Sequence, residues 1–224
     1  MTLRNLHRNV LVGSAGLVAV LVLTVWVGSA TAQELPAGAA DESVMNIPGE
    51  DNVIQQATMS YGAGQRALKK SAKFSEKAEA ASGTDREKFL QKAHEQLEKA
   101  AGEFSQAIRN NPKMHKAYVA LGDTLFELDQ FQDAVGVYSQ AIEMEPADWQ
   151  TVLSRGQAMV ATNNMQGAVN SYQQLQSGDN TKAAELLGTI KGWVEYQQAN
   201  PSDIPAEAVQ QVETWVGQQE SASS

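Results

Sequence analysis

The sequence predicts an all-α protein, a helix–turn–helix solenoid closed by a C-terminal capping helix. The first ground is internal repetition. Tyr118, Leu121, Gly122, Leu125, Ala134, Tyr138 and Ala141 are echoed about 34 residues on by Val152, Arg155, Gly156, Met159, Ala168, Tyr172 and Leu175. Helix pairs with this period cannot bury their apolar faces alone and must stack on neighbours. The second ground is spacing, since Tyr118, Leu121, Gly122 and Leu125 follow i, i+3, i+4, i+7, one face of a helix. The third is punctuation. Asp129-Gln130 makes a turn, and Glu145-Pro146 stops a helix because proline biases its predecessor away from the helical region.

Residues 1–32 read as a secretion signal or an uncleaved signal anchor. Arg4, His7 and Arg8 form a basic head, an uncharged apolar run follows from Val10 to Ala30, and Ala30-Thr31-Ala32 supplies a small-x-small cleavage pattern. Cleavage is expected between Ala32 and Gln33. The run is also close to the roughly 20 residues that span a bilayer, so the anchor stays open as an alternative. Either way the two arginines stay cytoplasmic and the rest lies outside. Residues 33–53 are rich in Ala, Gly, Pro, Asp and Glu. They bury too little to offset chain entropy and read as a flexible linker ending near the Pro48-Gly49 turn signal.

The array itself is expected over 54–198. Its first unit, 54–114, is elongated. Ala100, Phe104, Ala107 and Pro112 fit a second helix, whereas Tyr61 and Leu68 of the first lie too far upstream for an ordinary unit. An insertion of roughly two dozen residues relative to the usual period lengthens both helices into a hairpin turning near Ser82-Gly83-Thr84. Thr84-Asp85-Arg86-Glu87 offers a capping-box start for the second arm. Units follow at 115–148 and 149–182. In the former, Phe131, Ala134, Val135, Tyr138, Ala141 and Ile142 are the buried face of the second helix, and Gly122 is small where two helices meet. An additional helix over 183–199 carries Leu186, Leu187-Gly188, Ile190 and Val194 and ends at Asn200-Pro201. The region 200–224 holds a capping helix from about Pro205 to Gly217, burying Ala208, Val209, Val212 and Trp215, and a tail.

The run Tyr-x-x-Leu-Gly-x-x-Leu … Ala-x-x-x-Tyr-x-x-Ala-x-x-x-x-Pro over 115–148 resembles the tetratricopeptide repeat, with Leu125 in place of the usual tyrosine. Residues 149–182 resemble it too, departing at Arg155, Leu175 and the missing proline. The resemblance implies a concave wall lined by the first helix of each unit. It puts Lys116, Val119, Asp123 and Phe126 there, then Gln150, Leu153, Gln157 and Val160, with Arg66 and Lys69 from the elongated unit. Some members of the family clamp a C-terminal carboxylate with lysine and asparagine. Val119 and Asp123 occupy those places here, which argues against such a clamp.

Composition narrows the chemistry. There are 17 Lys+Arg against 26 Asp+Glu in 224 residues, a formal charge of −9. An acidic chain is a poor general binder of nucleic acid. Without Arg4 and Arg8, 15 basic residues face 26 acidic ones, a formal −11. No cysteine is present, which excludes disulfides, thiolate catalysis and thiolate metal sites. His94 and His115 stand in no metal-ligand spacing, and His115 reads as a solvated or capping residue. Gly62-x-Gly64 lacks the rest of a dinucleotide fingerprint, and Asp129 and Asp133 flank a turn where they favour a helix start. No catalytic residue, metal or cofactor is expected. Arg66, Lys69, Lys70, Lys73 and Lys77 form a basic stripe at helical spacing. It reads either as a docking site for an acidic partner or anionic membrane, or as a solvated face paired locally with Glu76, Glu79, Glu95 and Glu98.

The expectation is thus an exported, periplasmic or inner-membrane-anchored scaffold that binds another protein or peptide and is not an enzyme. The alternatives are a self-assembling envelope protein, paired through the region of Trp193 and Trp215, and, third, an envelope enzyme.

Overall fold

The computed structural model describes residues 49–200 and 202–222, and the expected leader and most of the expected linker lie outside them. Eight helices follow one another among the described residues: α1 Glu50–Ala80, α2 Gly83–Asn110, α3 His115–Glu127, α4 Phe131–Met144, α5 Trp149–Ala161, α6 Met165–Gln176, α7 Asn180–Ala199 and α8 Ala206–Ala222. Each odd-numbered helix packs on the even-numbered one that follows it, and α2 on α3, α4 on α5 and α6 on α7 join the pairs. The fold is an all-α solenoid of stacked helix pairs.

The first pair is the longest, with 31 and 28 residues against 13 and 14 in α3 and α4. Its seam is made of small side chains. Ala57, Ala67, Ala78, Ala93, Ala100 and Ala107 are buried, and the Ser71 hydroxyl donates to the Ala93 carbonyl at 3.0 Å. Small residues let the two axes approach closely, and serine at such a seam needs the acceptor it finds. Toward the tip, Lys92 of α2 lies 5.7 Å from the Phe74 ring and Lys77 of α1 lies 5.9 Å from the Phe89 ring, a reciprocal pair of cation–π contacts.

Boundaries differ from the sequence expectation at three places. α1 begins at Glu50, inside the expected linker, because Gly49 offers its carbonyl to the Asn52 and Val53 amides at 2.8 and 3.3 Å. α2 begins at Gly83 behind Ser82 with no side-chain cap, so the capping box expected at Thr84 does not form. Gly83 itself, at φ +60°, absorbs the reversal. α8 runs on to Ala222, and Glu220 reaches back to Lys191 of α7 at 2.7 Å.

The turns within the two short repeats are copies of each other. Asp129 and Asn163 both adopt the left-handed region, at φ 61° and 59°. Their successors close the same bond, Gln130 N–H to the Leu125 carbonyl at 2.9 Å and Asn164 N–H to the Met159 carbonyl at 2.8 Å. Aspartate and asparagine tolerate this conformation better than other non-glycine residues. Asp129 is therefore a turn residue and not part of a helix start. Asn164, Asp148 and Asp179 then cap α6, α5 and α7 through their side chains.

Between helices, glycines receive large side chains. A Cβ on Gly64 would meet the Phe104 ring at 2.5 Å, and one on Gly122 would meet the Tyr138 ring at 2.5 Å. Phe104 and Tyr138 are 0% and 1% exposed, so neither ring can retreat into solvent. In the next repeat the pattern changes. Leu186 of α7, not Tyr172, presses on Gly156, again at 2.5 Å, while Tyr172 turns its ring edge-on to Trp215 of α8 at 5.2 Å. Arg155, which replaces the leucine of the preceding repeat, is accommodated by Ser171 at 3.3 Å and Gln174 at 3.0 Å. Its Nε stays buried without an acceptor, and burial lowers the guanidinium's pKa.

The Leu187-Gly188 pair does not repeat the glycine contact. Gly188 has no heavy atom within 4 Å of a Cβ, because α7 buries Ala183, Leu186, Ile190, Trp193 and Val194 and turns residue 188 outward. Trp193 is 5% exposed and donates to the Asn163 side chain at 2.8 Å. Both tryptophans that suggested pairing with a second copy thus pack within the chain.

The glycines sort into two classes with opposite expected effects. Alanine at Gly64 or Gly122 should destabilise by about 1–3 kcal/mol through overpacking. Alanine at Gly102, Gly136 or Gly188, where a Cβ meets nothing within 4 Å, should stabilise the helix by roughly 0.5–1 kcal/mol. Urea unfolding of the five single variants checks both signs. Uniform stabilisation would show that the rings yield and that the close seats do not constrain the array.

Candidate functional site

The structure sorts the residues that the resemblance puts on a concave wall into three groups. Lys116, Asp123 and Gln150 are exposed, and Val119, Phe126 and Gln157 are half-buried. Leu153 and Val160 are each 1% exposed and belong to the core that joins α4 through α8. These two are corrected: α7 packs over α5 and takes them out of reach of any ligand. Phe126 packs edge-on against Phe131 at 5.0 Å and offers only part of its ring to a partner.

Three of the accessible side chains, Lys116, Asp123 and the half-buried Gln157, are held by their neighbours. Lys116 Nζ sits 4.7 Å above the Tyr61 ring, so α1 steers the α3 lysine across the wall. Gln157 donates to Glu185 of α7 at 3.5 Å. Asp123 accepts from the Tyr138 hydroxyl at 2.8 Å, which couples the groove to the ring seated on Gly122. Counting from Gly64 as from Gly122 sets Tyr61 level with Val119 and Gln65 level with Asp123. Tyr61, under the Lys116 ammonium, and Gln65, in a recess beside Glu127, were not among the expected site residues, and the glycine register was the signal that could have found them.

Electrostatics divide the wall. Asp123 keeps contact with solvent, yet the surrounding groove withdraws enough water to push its carboxyl above the ordinary aspartate value. The Tyr138 hydrogen bond partly opposes that rise, and the Asp148 charge adds to it. Glu127, one turn on, is raised by desolvation and then by Asp123. The Tyr138 phenol is raised by burial first and by Asp123 next, so it stays a neutral donor. Where α1 passes the end of α3, a recess of about 590 Å³ opens, lined by Gln65, Arg66, Leu68, Lys69, Ser75 and Glu127 among others. Arg66 and Lys69 therefore share that recess with Glu127, without an ion pair between them.

His115 is neither solvated nor a cap. Its side chain is 15% exposed, wedged between Glu145 at 3.5 Å from Nδ1 and Asp148 at 3.5 Å from Nε2. The second contact is at ion-pair distance without hydrogen-bond alignment. His115 thereby ties the start of one repeat to the junction with the next. Among the described residues no group of three His, Cys, Asp or Glu side chains is arranged to hold a metal, and no helix is long and apolar enough to cross a membrane.

A carboxyl with a raised native pKa contributes most below the ordinary carboxylate range, and that contribution is lost as pH rises through the raised value. Asp123→Asn should therefore raise the Tm at neutral pH and flatten the decline that sets in as pH rises above the ordinary carboxylate range, since asparagine keeps an acceptor for Tyr138. Thermal melts from that range to neutral pH check it. A lower Tm at neutral pH would show that the charged hydrogen bond outweighs desolvation.

Comparison with known proteins agrees with the repeat geometry. Residues 90–142 and 119–183 match the tetratricopeptide repeat family. Among solved structures, the chain is similar to the TPR2B domain of yeast Sti1 in its pHsp70 complex, at 16% identity over 70% of this chain and 98% of that one, TM-score 0.32. It is also similar to the MamA RS-1 ArsTM double mutant, at 15% identity over 75% of this chain and 96% of that one, TM-score 0.37. No curated protein matches. The glycine seats at Gly122 and Gly156 and the left-handed turns at Asp129 and Asn163 fall within residues 90–183, the stretch that matches the tetratricopeptide repeat family.

Proposed function

We propose that the chain is an exported, non-enzymatic scaffold that holds a protein or peptide partner in the bacterial cell envelope. The observation that carries this reading is that Lys116, Asp123 and Gln150 stand exposed, with Gln157 half-buried beside them, on the first helices of an array whose seams are closed by buried rings; we take these faces as its concave wall. A preformed wall spares a partner the entropy of ordering its receptor. The half-buried Val119 and Phe126 supply apolar contact, and Lys116 and Asp123 set orientation through charge. The sequence offers no nucleophile–base pattern that would add chemistry to binding.

Export rests on the N-terminal sequence: the basic head of Arg4, His7 and Arg8, the uncharged run from Val10 to Ala30, and Ala30-Thr31-Ala32. The working reading is cleavage after Ala32, with an uncleaved anchor facing the periplasm as its alternative.

Two experiments test the proposal. Affinity capture from envelope extracts should recover companions with the intact chain and lose most of them with Lys116→Glu/Gln157→Lys, while the Tm stays within about 2 °C, as expected for surface changes. Equal recovery would remove the groove assignment. Separately, intact mass of the chain from fractionated bacteria should show a periplasmic species beginning at Gln33. A membrane-bound species beginning at Met1 would favour the anchor, and a cytoplasmic one would end the export reading.

A further inference from the structure

We propose that the basic stripe of α1 is a second docking surface, adjoining the concave wall at Gln65 but formed by its own cations, that receives an acidic segment of a partner protein. Arg66, Lys69, Lys70 and Lys73 are all exposed, and among the described residues none of them forms an ion pair or hydrogen bond. The neighbours that could have neutralised them are otherwise engaged or unpaired: Glu98 contacts His94 at 3.5 Å, Glu95 accepts from Gln91 at 3.1 Å, and neither Glu76 nor Glu79 reaches a lysine. Lys77, the fifth member, is spent on the Phe74 and Phe89 rings and does not belong to the surface.

Like charges at i, i+3 and i+4 repel and weaken the helix that carries them. Here four sit on one helix of a chain whose net charge is −9. Carboxylates of a partner relieve that repulsion without displacing any internal contact. Steering by such a patch also concentrates on one face of an otherwise acidic molecule.

The shape favours a peptide over a membrane. Arg66 and Lys69 reach from the stripe into the recess at the end of α3, so the charged surface continues into a concavity of about 590 Å³. A flat bilayer cannot enter it. Among the four cations themselves no exposed apolar anchor is interleaved: of the exposed large apolar residues among those described, Met59 shares their face of α1 but lies about two turns before Arg66, and Ile54 and Met144 lie elsewhere. Interfacial helices need such anchors beside their cations. Within the recess Glu127 supplies an acceptor, which suits a partner whose acidic run is followed by a lysine, arginine or hydroxyl side chain. The recess exists because α1 overruns α3, so this surface is a product of the elongated hairpin.

The test uses the full chain and fluorescein-labelled oligoglutamate, read by anisotropy, with oligoglutamine as the neutral control. Oligoglutamate should bind, weaken as salt rises, and lose about tenfold in affinity in Lys69→Glu/Lys73→Glu. Lys88→Glu/Lys113→Glu, two exposed lysines away from the stripe, should change affinity less than about twofold. The groove variant Lys116→Glu/Gln157→Lys should bind oligoglutamate like the intact chain, which separates this surface from the concave wall. No binding of oligoglutamate, equal binding of oligoglutamine, or equal loss in the control variant overturns the proposal. So does stripe-dependent sedimentation with phosphatidylglycerol vesicles in the absence of oligoglutamate binding, which would identify the surface as one for anionic membrane.

Discussion

The array depends on a bulky side chain seated directly on a glycine where two helices meet. Phe104 lies on Gly64, Tyr138 on Gly122 and Leu186 on Gly156, each with no room for a single added carbon. Burial of a large apolar side chain contributes about 1.5–3 kcal/mol, but the seat does more than stabilise. It sets the axial register of one helix against the next, since a ring that fits over a missing side chain fits at one position only. Register in turn decides which side chains of each first helix look into the concave wall. The close approach of backbone and ring is the physical link between a core contact and a surface.

Tyr138 shows that link most directly. One edge of the ring fills the Gly122 seat, and its hydroxyl donates to Asp123 in the groove. The carboxyl is thereby held in place while the groove's own desolvation raises its pKa. An acidic position held by Tyr138 and a lysine resting on Tyr61 set opposite charges along α3. In the following repeat the tyrosine turns toward Trp215 and leaves Gly156 to Leu186. That exchange knits α5, α6, α7 and α8 into one core and explains why Leu153 and Val160 serve the scaffold instead of the groove.

Legibility followed locality. The helix pairs and their turns could be read because each is encoded within one period: apolar spacing, the prolines after Asn111 and Glu145, and Asp129 and Asn163 at equivalent places. The Gly122 seat was legible for the same reason. Leu187-Gly188 looked the same in sequence and is not, because the face that α7 buries is chosen by α5 and α6, not by α7 alone. Of the residues expected on the wall, Lys116, Asp123 and Gln150 are exposed and Val119 and Gln157 half-buried. The expectation failed at Leu153 and Val160, whose burial depends on α7, a helix outside their own repeat.

Determined by the sequence alone were the all-α class, the stacked-pair period and the absence of any thiol chemistry in a chain without cysteine. These follow from composition and short-range spacing, which act through the backbone geometry of single helices. Only the tertiary structure decided which apolar residues close seams, that His115 is wedged between Glu145 and Asp148, and that four cations of α1 are left without partners. Such outcomes depend on what a neighbouring helix brings to within a few ångströms, and no period within one segment encodes that.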